Sequence, residues 1–139
     1  MSVTRQAEQL REDFAFLEDW EARFRHLIDL GKALPPLSPH EYDDAFKVRG
    51  CSSQVWLVAE PSTTTPGALH FRGASDAAIV AGLVAVIIHL FSDQMPADIL
   101  AFDAPAYFRE IGVADALTPQ RSNGLASMLQ RIRAIASAS

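Results

Sequence analysis

The chain has 139 residues, 49% of them hydrophobic, and a formal net charge of −5. The apolar content is too high for a disordered chain, and the acidic balance argues against nucleic acid or a polybasic membrane surface as a partner. One cysteine excludes an internal disulfide, a CxxC pair and a four-cysteine zinc site, and the four scattered histidines form no HxxxH pair.

No metal or cofactor is therefore expected. The length suits a single domain, residues 1–139, large enough to bury a core. The opening residues lack the apolar core of a signal peptide. The longest apolar run, Ala77 to Ile88, is shorter than the ~18–20 residues of a membrane span. The expectation is a soluble, cytoplasmic protein.

Taken in order, Leu10, Phe14 and Leu17 fall at helical spacing and predict a first helix over 5–17. A second helix over 19–33 carries Trp20, Phe24, Leu27, Ile28 and Gly31 on its packing stripe. The prolines of Leu34-Pro35-Pro36-Leu37-Ser38-Pro39 stop it. After a polar turn at 40–45, residues 46–48 are extended, and 54–60 and 68–73 make an antiparallel hairpin across a Pro61–Gly67 turn. Ser75 is the expected N-cap of a helix reaching about Phe91, with Asp76 in its first turn. That helix is apolar on nearly all sides and so belongs at the centre of the molecule. Short helices follow from Pro96 and Pro105, with Gly112 ending the second. Thr118-Pro119 opens the last helix, which packs through Leu125, Met128, Leu129, Ile132 and Ile135. Helix, helix, strands, then helices, without βαβ alternation, is an α+β pattern: a small antiparallel sheet against several helices.

The stretch Arg49-Gly50-Cys51-Ser52-Ser53-Gln54-Val55-Trp56 places the only cysteine at the tip of a loop between two strands, the brief extended segment 46–48 and the strand from 54. A lone cytosolic cysteine is commonly a small buried hydrophobe. Against that, its neighbours are polar and turn-like, and Arg49 could stabilise a thiolate and lower its pKa. Both readings stay open on these residues alone. No histidine pairs with Cys51 in the sequence, so a cysteine hydrolase lacks a visible base, and His89 reads as a core histidine. Arg121 lies in the first turn of the last helix, where the dipole disfavours a cation; a surface ion pair and a functional arginine both account for it.

These stretches resemble the SufE family of sulfur acceptors that work beside cysteine desulfurases. The resemblance rests on Leu30–Leu37, Val48–Leu57, Phe71–Leu83 and Leu117–Leu125, in order, and spans roughly residues 15–136. Ser52 stands where the family usually carries glutamine, and Gln120 where it carries serine. The resemblance implies an α+β fold shared with U-type iron–sulfur scaffolds. It implies that Cys51 accepts persulfide sulfur from a SufS- or CsdA-type pyridoxal-phosphate enzyme, stimulates that enzyme, and delivers sulfur to an iron–sulfur scaffold complex. The chain would then be a transfer partner rather than a stand-alone enzyme. Arg49 and Gln54 would shape the loop, and Asp76 and Arg121 would contact sulfur or partner. The rival reading is a regulatory or binding module whose cysteine is inert and buried.

Overall fold

Side chains that satisfy the free N–H groups of a first turn set where most helices begin. Ser2 accepts from Arg5 N to start α1 (Val3–Ala15), and Asp19 from Ala22 N to start α2 (Trp20–Lys32). Asp103 accepts from Ala106 N at the head of α5 (Ala104–Glu110), and Thr118 from Arg121 N at the head of α6 (Pro119–Ser137). Two further helices, α3 (Ala78–Phe91) and α4 (Pro96–Ala101), begin without a side-chain cap. The computed structural model describes residues 2–51, 53–114 and 117–139. Within them the fold is α+β, as the residue pattern indicates.

The sheet is a single antiparallel hairpin. β1 (Val55–Pro61) pairs with β2 (Leu69–Ser75) in the register Val55↔Ser75 to Pro61↔Leu69. The strand period of two sends Val55, Leu57 and Phe71 into the main core. There they join α3, whose Leu83, Val84, Val86, Ile87 and Leu90 are fully buried. α2 crosses α3 so closely that a Cβ on Gly82 would collide with the backbone carbonyl of Leu27. Only glycine fits that crossing.

The opposite face of the hairpin would lie bare without the segment between α2 and β1. That segment straps it. Glu41, only 6% exposed, receives two hydrogen bonds from Arg72 of β2 (Nη1 to Oε1, 2.7 Å; Nη2 to Oε2, 2.5 Å) and one from Ser38 N at 2.9 Å. Arg72 also donates to Glu60 of β1 at 2.7 Å. Tyr42 stands edge-on to Trp56, ring centres 5.1 Å apart. The Arg72 guanidinium and the Ser38 N–H together hold the Glu41 carboxyl down at about 2, against an ordinary value of 4.5. The strap thereby fixes the chain that leads into the cysteine loop.

Four expectations change. Asp76 lies ahead of α3 and not in its first turn. Ser75 ends β2 instead of capping α3; pairing with Val55 claims its backbone, and its hydroxyl donates to Gln54 O. Trp20 is 36% exposed, its ring tilted against Phe24 and met by the Arg23 guanidinium at 5.1 Å, so it lies at the surface and not on a buried stripe. His89 sits on the exposed side of α3, because the core contacts of that helix are all made by its other faces. Among the described residues, no helix is long and apolar enough to cross a membrane.

Candidate functional site: the cysteine loop and its seat on α6

The loop is pinned at its base before it turns. Lys47 forms a bridge with Trp56, and Val48 N donates to Val55 O at 2.8 Å. The chain between them turns at Gly50, whose φ of +89° is a conformation other L-residues adopt only at a cost. A Cβ there would also lie 2.5 Å from Ser127 Oγ of α6. The dihedral favours glycine, and a side chain there would also oblige the Ser127 hydroxyl to turn aside. Ser52, part of the expected turn, lies outside the described residues.

Cys51 is half-buried and packs against the core edge, its thiol donating to Gly124 O of α6 at 3.5 Å. The cysteine packs directly over Gly124, where a Cβ would lie 3.6 Å from Sγ, an ordinary van der Waals contact. Burial pushes the Cys51 thiol above its ordinary pKa, since desolvation disfavours the thiolate. This reverses the expectation that Arg49 lowers it. Arg49 is solvent-exposed, where water screens its charge, and the loss of water around sulfur outweighs it.

On the other side of the loop, Asp76 clamps Gln54. Asp76 Oδ1 accepts from Gln54 N at 3.0 Å and Oδ2 from the Gln54 side-chain amide at 3.5 Å. Gln54 O in turn accepts from Asp76 N at 3.2 Å and from Ser75 Oγ at 2.8 Å. These two sequence-selected residues therefore meet, and they fix the point at which the loop enters β1.

Arg121, the third residue of α6, is joined to Cys51 by no hydrogen bond among the described residues. It lies three positions before Gly124, so both occupy neighbouring places on one helix face. α6 also supplies two residues that the sequence pattern does not single out. Ser127 seats Gly50, and Arg131 donates to Lys47 O at 3.3 Å and Ala45 O at 3.4 Å. No local signal marks them, because both read as ordinary solvated helix positions.

Among the described residues, the Cys51 thiol hydrogen-bonds to Gly124 O and to no histidine. His70 is occupied at the other end of the hairpin, where its Nδ1 meets Ser92 Oγ at 3.0 Å and Asp93 Oδ1 at 3.1 Å. Among the described residues no three His, Cys, Asp or Glu side chains gather as a metal site. The arrangement holds a half-buried thiol against α6.

A family model described as SufE: Fe-S metabolism associated domain matches residues 8–136. An uncharacterised SufE-like protein of Rhizobium etli is 47% identical over 91% of this chain and 86% of its own length. Another, from Rhizobium meliloti, is 44% identical over 91% of each. The solution structure of a hypothetical protein from Thermus thermophilus shares the fold, with a TM-score of 0.76 at 22% identity over 96% of this chain and 94% of that one. On the family match across nearly its whole length and on these SufE-like relatives, the chain belongs to the SufE family, whose domain is associated with iron–sulfur metabolism.

Proposed function

We propose that the protein is a sulfur carrier, a single acceptor domain in the cytoplasm that serves a cysteine desulfurase and supplies an iron–sulfur scaffold. The observation that carries this reading is the solitary thiol of Cys51, half-buried on a short loop that Gly50 and Asp76 hold against a SufE-family core. In the transfer, the Cys51 thiolate attacks the outer sulfur of a persulfide on the desulfurase. A new S–S bond forms to Cys51, the old S–S bond breaks, and the desulfurase cysteine leaves as a thiolate, with no net redox change. The product is Cys51–S–SH. Removing product sulfur from the desulfurase also stimulates its turnover. The shelter seen for the thiol would shield that persulfide from other cellular thiols until delivery.

The rise in the Cys51 pKa favours a second reading, a binding module whose cysteine is inert. Incubation with a SufS- or CsdA-type desulfurase, pyridoxal phosphate and free cysteine separates the two. Intact mass is expected to show one added sulfur atom on the wild type and none on Cys51→Ser. A wild type that gains no sulfur overturns the carrier reading.

A further inference from the structure

An open groove of about 390 Å³ runs beside the cysteine loop, between the segment that leads into it and α6. Lys47 has extended backbone, so the side chains of Lys47 and Arg49 project to one side while Val48, 3% exposed, projects to the other, into the core. α6 supplies the facing wall through Ser127, Gln130 and Arg131, neighbours at helical spacing. Arg131 is held in place by its hydrogen bonds to Lys47 O and Ala45 O. The groove therefore carries three cations against one carboxylate, Asp44. The chain as a whole has the opposite balance, 17 acidic residues to 12 Lys and Arg.

We infer that this groove docks an acidic segment of the desulfurase beside its persulfide-bearing cysteine, an assignment that rests on the carrier reading above. A protein that brings a persulfide to Cys51 approaches the loop whose Arg49, two residues away, lines this groove. A positive rim on an otherwise acidic carrier orients the encounter, because the local field turns this face towards an acidic segment. The open shape suits an extended peptide segment better than an enclosed small anion. Fixing Arg131 to the backbone of Lys47 and Ala45 keeps the three charges in register with the loop.

The test is the KM for the carrier in desulfurase turnover, at ionic strengths from about 0.01 to about 0.15 M, where the screening length falls from about 30 to about 8 Å. The wild type is expected to show a KM that rises several-fold with salt. Lys47→Glu/Gln130→Glu, which reverses the charge of the groove and leaves Arg49 and the cysteine loop untouched, is expected to raise the low-salt KM roughly tenfold and flatten the salt response, while kcat and persulfide loading at saturating carrier stay as in the wild type. Wild-type KM and salt response in the variant overturn the groove assignment and leave the carrier reading standing. A wild type that acquires no sulfur overturns both. Replacing chloride by inorganic phosphate at constant ionic strength is expected to leave KM unchanged; a rise marks a small-anion site and overturns the docking of a protein segment.

Discussion

The shelter of Cys51 depends on Gly50, and Gly50→Ala tests it directly. At φ +89° an alanine costs about 1–2 kcal/mol, and its Cβ, 2.5 Å from Ser127 Oγ, obliges that hydroxyl to turn aside at a smaller cost. With about 2 kcal/mol in total and tenfold per 1.4 kcal/mol, the lifted form gains roughly thirtyfold in population. Lifting returns water to the sulfur, so the burial that raises the Cys51 pKa is lost as well. The assay is the iodoacetamide alkylation rate of Cys51 across pH 6–10, beside a free cysteine peptide whose thiol titrates near about 8.5. The wild type is expected to react more slowly than the peptide, with a midpoint above that value. Gly50→Ala is expected to approach the peptide in both rate and midpoint. Ser127→Ala in the Gly50→Ala background removes the steric part alone and should recover part of the protection. Unchanged alkylation in Gly50→Ala refutes the argument, as does a lowered Tm with no gain in reactivity, since the loop would then not be separable from the core.

The strap over the hairpin gives a pH signature. Because the Glu41 carboxyl lies at about 2 when folded and near 4.5 ordinarily, the unfolded chain takes the proton more readily. The stability it contributes is complete above about pH 5 and disappears as pH falls towards 2. The Tm difference between wild type and Glu41→Gln should therefore shrink over that window, and a difference independent of pH would show that the charge is not the source. Gly82→Ala should lower stability by about 1–3 kcal/mol, read from urea unfolding, because α2 must move off α3 to clear the Leu27 carbonyl. A variant as stable as the wild type would mean the crossing is slack. Arg121→Ala should leave Tm nearly unchanged, as a cation in the first turn of α6 gains nothing from the helix dipole. It should lower desulfurase stimulation several-fold; undiminished stimulation, or unfolding, would make Arg121 a structural residue.

The sequence alone determined the elements and their order. Leu10 and Phe14 on α1, and Leu125, Met128, Leu129 and Ile132 on α6, are buried where their helical spacing puts them. Thr118 caps its helix as its residue type indicates, and a turn closes the hairpin within the expected segment, although its first residue, Pro61, ends β1. Such features depend on interactions within a few residues, so they can be read from the local chain. The position of Cys51 in a turn ahead of a strand was legible for the same reason.

What the tertiary structure decided depends on atoms that are distant in sequence. Gly124 O reaches the Cys51 thiol across 73 residues, and Asp76 reaches Gln54 across 22. Arg49 is the nearest charge in sequence to Cys51, and proximity alone suggested an acidified thiol. The docked loop raises the thiol pKa instead, because the seat on α6 strips water from the sulfur while Arg49 faces solvent. Ser75 likewise looks like a cap until strand pairing with Val55 claims its backbone. Propensity is a property of the local chain, whereas desolvation and docking belong to whichever remote segments the fold brings together.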